Sequence, residues 1–136
     1  MKKQIYVVGA VIVSEGRVLC VQRGPGAALP GMWEFPGGKI EGGESPQSAL
    51  KREIDEELRC EITVGDEVTT TSHDYDFGVV HLTTFYCDLV AGSPQLLEHS
   101  DLVWSEPDEL RRLDWAPADI PAVKLIEGRL AGQGPT

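Results

Sequence analysis

The stretch SPQSALKREIDEELR, residues 45 to 59, has one good conformation open to it, a helix with two unlike faces. Ser45 suits the N-cap, Pro46 the first helical position, and the residues that follow are good helix formers. At 100° per residue, Leu50, Ile54 and Leu58 make an apolar stripe that can dock on a sheet. Glu53, Glu56 and Glu57, spaced three and four apart, fall beside it within an arc of about 100°, while Lys51, Arg52 and Asp55 point elsewhere. Like charges at that spacing cost a few tenths of a kcal/mol each when exposed, and more when half-buried beside a sheet. A merely solvated acidic face is one reading. The other is a hard divalent cation that offsets the repulsion. Mg²⁺ takes carboxylate and carbonyl oxygens plus water, and the PGG turn at residues 36 to 38 offers backbone carbonyls.

Around this helix the chain alternates with the period of strands. QIYVVGAVIVS (4 to 14), the tight turn SEGR and RVLCVQRG (17 to 24) predict a β-hairpin. A Gly/Pro loop over 24 to 31 and the short run MWEF precede the PGG turn. EITVGDEVTTTSHDYDF and VVHLTTFYCDLV predict two or three strands, with turns near Gly65 and Gly78. LVWSEPDELRRL reads as a strand end with a short helix, PADIPAVKLIEGRLAG as a terminal helix, and GQGPT as a frayed tail. The expectation is one domain over residues 1 to 131, an α/β fold with helices packed on a mixed sheet, and a tail over 132 to 136.

Charge and composition remove several classes of function. Twelve Lys and Arg against 22 Asp and Glu leave a net charge of -10, which disfavours nucleic acid and anionic membranes as partners and makes a polyanionic ligand dependent on a bridging cation. The longest apolar runs, such as IYVVGAVIV, fall short of the roughly 20 residues that span a bilayer, and MKKQIYVV lacks a cleavage pattern, so a cytoplasmic protein is expected. Cys20, Cys60 and Cys87 are widely spaced among apolar neighbours and read as buried reduced thiols.

The wider spacing decides between a solvated face and a metal site. From Gly38 the chain runs five residues to Glu44, seven more to Arg52-Glu53-Ile54, one more, then Glu56-Glu57. This resembles the Nudix box, with Arg59 standing where the family has Gly and Cys60 in the apolar slot after it. The resemblance implies an α/β/α sandwich and a hydrolase of nucleoside diphosphates linked to another group, dependent on Mg²⁺ or Mn²⁺. GAVIV, GRVLCVQR and GMWEFPGGKIE look like the MutT branch, and EHSDLVWSEPDEL with APADIP like its CTP pyrophosphohydrolase-like members. That branch cuts nucleoside triphosphates to the monophosphate and pyrophosphate, which implies a role in nucleotide-pool sanitation and DNA repair.

By position, the resemblance gives phosphate binding to Arg23 and Lys39, and metal binding to a carbonyl of Gly37 or Gly38 with Glu53, Glu56 and Glu57. Glu98 is the further carboxylate, brought in by a loop. Physical chemistry agrees with these roles: an arginine gives a bidentate contact, a lysine a point charge, and divalent ions neutralise phosphate oxygens and activate water. Arg52 would orient the glutamates by ion pairing; Glu44 would tie the loop to the helix or reach the metal through water. The general base is Glu53 or Glu98. Among Trp33, Phe35, Tyr75, Phe77 and Trp115, the aromatics able to stack on a base, Phe35 and Tyr75 are selected. Asp119 lies where MutT-type enzymes read the base edge; it would accept from an exocyclic amine such as cytosine N4, donate to an oxidised guanine if protonated, or simply cap the terminal helix. His73, His81 and His99 lack metal-ligand spacing and carry no assigned chemistry. The substrate is expected to be a nucleoside triphosphate and the protein a monomer or homodimer. The alternatives are another diphosphate derivative, such as a nucleotide sugar, for which a second recognition domain is absent, or a non-catalytic nucleotide- or metal-binding regulator.

Overall fold

The computed structural model describes residues 2 to 131, so the tail expected over 132 to 136 lies outside the described residues. The hairpin forms as expected: β1 (Gln4–Ser14) turns at Glu15 and Gly16, both at positive φ, into β2 (Arg17–Gln22), with Val13 opposite Val18. Two positive-φ residues are what a two-residue hairpin turn of the right twist demands. β3 (Trp33–Glu34) and β4 (Gly37–Lys39) are short because Pro36 separates them. The PGG turn is therefore also the entry to a strand, and Gly37 to Lys39 pair antiparallel with β1 at Gly9 to Val7.

α1 (Pro46–Leu58) matches the predicted helix. The Ser45 side chain accepts from the Ser48 N–H at 3.1 Å, Pro46 occupies the first turn, and Arg59 closes the helix in the left-handed conformation. Leu50, Ile54 and Leu58 are fully buried, each contributing about 2 kcal/mol. β5 (Glu61–Tyr75) and β6 (Gly78–Ala91) form a long antiparallel pair. The turn expected near Gly65 is instead a pair of β-bulges, where the register slips between Val64 and Glu67 and again between Glu67 and Thr69. A glycine inside a strand pattern marks a bulge as readily as a turn, and the continuous partner β6 keeps the strand running. The turn expected near Gly78 is present, over Asp76 and Phe77.

β7 (Asp101–Ser105) pairs with β2, and two 3₁₀ turns, Pro107–Arg112 and Pro117–Asp119, lead into α2 (Ile120–Ala131). The sheet order is β3-β2-β1-β6-β5, with β4 joined to β1 and β7 to β2; β1 and β6 are parallel, so the sheet is mixed. Alternate residues of β1 serve two cores. Val8, Ala10 and Ile12 pack with α1, whereas Val11 joins Trp33, Trp115 and Ile126 on the opposite face. The result is the helix-sheet-helix sandwich expected from the sequence. Cys20, Cys60 and Cys87 are buried free thiols, and burial pushes Cys20 and Cys87 up to about 12.

Candidate active site

Arg52 organises the acidic end of α1. Its Nε and Nη2 donate to both oxygens of Glu44, at 2.7 and 2.9 Å, while Nη1 donates to Glu53 at 2.7 Å and to Glu56 at 3.3 Å. Nη2 also reaches the Lys39 carbonyl at 3.1 Å. The Arg52 hydrogen bonds, then the Glu41 N–H, hold the Glu44 carboxyl down at about 2, and the Arg52 guanidinium is pushed up in turn. Glu44 thus ties the loop to the helix, the first of its two expected roles. β4 supplies the facing wall. Ala10 N–H donates to Pro36 O and Ile40 N–H to Tyr6 O, so by the alternation of an antiparallel ladder Gly37 and Lys39 turn their carbonyls away from β1, toward Arg52 and Glu53. The sequence could not choose between the carbonyls of Gly37 and Gly38; this alternation leaves that of Gly37 open.

Glycine is needed at both positions by close approach. A Cβ on Gly37 would overlap the Val8 carbonyl, and one on Gly38 would overlap the Glu53 carboxylate. Glu53 is 14% exposed and wedged between Gly38 and Arg52. Glu57 Oε2 is enclosed by protein without a hydrogen-bond partner. Burial first, then the charges of Glu53, Glu98 and Glu34, push the Glu57 carboxyl up to about 8. The helix adds to the cost, because these acids lie near its C-terminal end and no basic residue occupies the last turn.

Of the four expected metal-binding glutamates, Glu53 and Glu98 are thus the two whose charges act on the buried Glu57. Glu56 is 56% exposed and shares Arg52 Nη1 with Glu53. Among the described residues no three acids are already drawn together at cation-holding geometry. Uncompensated like charges do not gather so closely, and Arg52 draws Glu53 and Glu56 to itself. The chemistry of the donor set still fits a hard divalent cation: an orphaned buried carboxylate oxygen, two neighbouring carboxylates and an open backbone carbonyl.

A cleft of about 320 Å³ adjoins this acidic end, lined by Arg23, Glu34, Lys39, Tyr75, Phe77 and Asp119 among others. A larger hollow, about 600 Å³, lies between α1 and the start of β5 at Lys51, Asp55, Thr63 and Val90; no box glutamate lines either space, and it is Glu34, whose charge acts on Glu57, that connects the smaller cleft to the acidic end. Arg23 sits just after β2. Its Nη1 donates to Glu34 at 2.6 Å and its Nε to the Ala28 carbonyl. At the other end of the cleft Asp119, the last residue of the 3₁₀ turn that precedes α2, is buried, and its Oδ2 accepts the Phe35 N–H at 3.0 Å. Burial pushes the Asp119 carboxyl up to about 8; the Phe35 N–H opposes this and Glu34 adds to it. Its recorded partner is thus β3's neighbour, not an N–H of α2.

The aromatics sort differently from expectation. The Phe35 ring is buried against Trp115, with centroids 4.7 Å apart, and does not line the cleft; only its backbone reaches the site. The Tyr75 hydroxyl accepts the Ala118 N–H at 2.9 Å, which fixes that ring as a wall. Phe77, 47% exposed, stacks on Tyr75 at 5.0 Å and 7° and offers the accessible plate. Sequence reasoning missed Glu34 and passed over Phe77 and His99. The available signals were a lone acid in the apolar run MWEF and an aromatic set in a turn.

Residues 7–125 match the NUDIX domain, and the chain belongs to that family; it is a Nudix hydrolase. It is 40% identical over 124 residues to CTP pyrophosphohydrolase of Escherichia coli (strain K12), covering 91% of this chain and 92% of that protein. Identity to putative 8-oxo-dGTP diphosphatase 2 of Mycobacterium tuberculosis is 38% over 126 residues, 88% of this chain and 84% of that protein. Among solved structures, the DNA mismatch repair protein MutT from methicillin-resistant Staphylococcus aureus 252 superposes with a TM-score of 0.79 at 53% identity, covering 95% of this chain and 99% of that one.

Proposed function

We propose that this hydrolase is a nucleoside triphosphate pyrophosphohydrolase that converts a (d)NTP and water to the (d)NMP and diphosphate, acting on cytidine or on oxidised or otherwise modified nucleotides and so sanitising the nucleotide pool. One observation carries the reading. The buried, unpartnered Glu57 oxygen lies among Glu53, Glu98 and Glu34, and Glu34 also lines the cleft that Arg23 and Lys39 share with Asp119. A triphosphate laid between them has its phosphates at the acidic end and its base beside Asp119. The names of the relatives, a CTP pyrophosphohydrolase and an 8-oxo-dGTP diphosphatase, support the same class of substrate.

In the reaction, water attacks a phosphorus, the bridge between the first and second phosphates breaks, and the attacking water loses a proton. Glu53, Glu56, Glu57, Glu98 and the Gly37 carbonyl would hold Mg²⁺ or Mn²⁺, which would supply positive charge to the phosphate oxygens and make water more nucleophilic. Arg52 fixes Glu53 and Glu56 in place. Arg23 and Lys39 bind and orient the phosphates. Glu53 is committed to Arg52, whereas Glu98 makes no ion pair among the described residues, so the proton is assigned to Glu98.

At the base, the cleft presents carboxyl groups from Asp119 and Glu34, while the Phe35 N–H is already engaged. Such a wall selects an edge rich in N–H groups: the N4 amine of cytosine, or the additional N–H of an oxidised guanine. Asp119, held protonated by burial at neutral pH, also has a proton to give. Phe77 supplies the stacking plate.

The test is phosphate release, coupled to inorganic pyrophosphatase, over a panel of canonical, oxidised and methylated nucleotides with Mg²⁺ and with a nucleotide sugar included. Glu57→Gln is expected to lower turnover by about 10²-fold or more. The metal-free variant should melt at the parent's temperature or above, since a repulsion with Glu53, Glu98 and Glu34 is relieved. A parent that turns over no nucleotide, or a Glu57→Gln variant with the parent's kcat, defeats the assignment.

A further inference from the structure

Glu34 joins two distant parts of the chain. Its Oε1 accepts from Arg23 Nη1 at 2.6 Å, and its Oε2 lies 3.3 Å from His99 Nε2. His99 belongs to the loop between β6 and β7, next to Glu98, and its side chain is only 8% exposed. A carboxylate accepts and does not donate, so Nε2 carries the proton that makes this bond. Nδ1, the other ring nitrogen, is enclosed by protein without any partner. An unsatisfied buried polar atom lowers stability, and an apolar side chain of similar size in that space would not. Folding alone gives no reason for histidine here.

The tie it makes does. The loop is fastened through its backbone at both ends: the Gln95 N–H donates to the Leu58 carbonyl at 2.9 Å and the Ser100 N–H to the Gln22 carbonyl at 2.9 Å, and the Glu98 carbonyl lies against Gly24. Those backbone contacts hold the loop to the ends of α1 and β2, and neither reaches the Arg23 side chain. The bond from His99 to Glu34 is the side-chain tie between this loop and the cleft, and Glu34 at the same time aims Arg23. We propose that His99 is a positioning residue: through Glu34 it sets the Glu98 loop in register with Arg23, so that the carboxylate and the phosphate-binding guanidinium act on one bound polyphosphate. This rests on the pyrophosphohydrolase reading above. A displacement of about 1 Å in such a pair is enough to cost on the order of 10²-fold in rate.

The test uses the full chain with Mg²⁺ and the nucleotide that the parent cleaves best. His99→Leu is expected to lower kcat at least tenfold, to change KM less than threefold, and to leave the metal-free melting temperature equal or higher. His99→Gln, whose amide N–H still reaches Glu34, should recover a third or more of the parent's kcat. In a Glu34→Gln background His99→Leu should cost far less than it does alone. Amide exchange at Ser100, whose N–H donates to the Gln22 carbonyl, should quicken at least tenfold in His99→Leu, a readout independent of turnover. A kcat equal to the parent's, a loss that only tracks a lowered melting temperature, full additivity with Glu34→Gln, or unchanged exchange would each overturn the proposal. A parent inactive on every nucleotide defeats the activity reading alone, and the exchange measurement then still decides whether His99 holds the loop.

Discussion

Asp119 is the residue whose protonation most directly links the base cleft to the stability of the protein. Its carboxyl is pushed from an ordinary 3.8 up to about 8, first by burial. The folded chain therefore keeps a proton that the unfolded chain releases above about pH 4, so the group's effect on stability worsens as pH rises from about 4 to about 8. Asp119→Asn keeps an acceptor for the Phe35 N–H and removes the titration. Chemical denaturation of the metal-free parent should show stability falling across that window, and the variant should gain on the parent by on the order of a few kcal/mol by pH 8 while matching it near pH 4. Parallel curves for the two proteins would show that Asp119 ionises normally. Glu57, pushed up from 4.5 to about 8, adds a slope of the same sign in the absence of metal. Glu44, held near 2 by Arg52, has the opposite sign: its contribution is present above about pH 4.5 and is lost as pH falls toward 2. Arg59 is a separate case of cost at one residue. It ends α1 at φ 57°, a conformation that glycine adopts freely and other residues hold at about 1 kcal/mol.

β4 and α1 act as one unit, and the two glycines of β4 separate what builds the fold from what builds the site. Gly37→Ala sets a methyl group against the backbone carbonyl of Val8, which cannot move without breaking the pairing of β4 with β1, and should cost several kcal/mol in a thermal or chemical melt. Gly38→Ala meets only the end of the Glu53 side chain. It should melt within a few degrees of the parent but lose tenfold or more in kcat, because Glu53 is driven off its Arg52-held position; equal stability losses for the two variants would show that Glu53 is not the obstacle. The helix half of this unit was legible in the sequence. The Ser45 cap, the Pro46 start, the Leu50, Ile54 and Leu58 stripe and the common direction of the glutamates all follow from the 3.6-residue period. Gly65 was misread because a glycine in a strand signals either a turn or a bulge, and the pairing of β5 with β6 settles which. The aromatics were ambiguous for a related reason: Phe35 lies between β3 and β4 and Phe77 in the turn after β5, so no strand alternation assigns them a face, and only the packed layers show that one is core and the other a rim.

Across the whole molecule, β5 is the last strand of the sheet and leaves a 15-residue rim with no partner strand among the described residues. Such an edge is a template for a second copy unless something blocks it, and Glu61, Asp66, Glu67 and Asp74 are exposed along it within a chain of net charge -10. Replacing Asp66 and Glu67 together by valine should produce concentration-dependent association in light scattering, stronger in high salt; a variant that stays at the parent's size at every concentration would show that the acids do not guard this rim. Residues 2 to 131 contain no helix long and apolar enough to cross a membrane. What the sequence determined by itself was everything carried by short-range period and spacing: the hairpin, the capped acidic helix, the buried thiols and the family of the box between Gly38 and Glu57. The tertiary structure alone decided which residues meet across the chain: Arg23, Glu34 and His99 in one chain of bonds, Asp119 against the Phe35 amide, and Glu57 buried among Glu53, Glu98 and Glu34. Periodicity fixes a direction only within one element, whereas contacts between residues tens of positions apart depend on how strands are ordered and layers packed, and no local pattern records that.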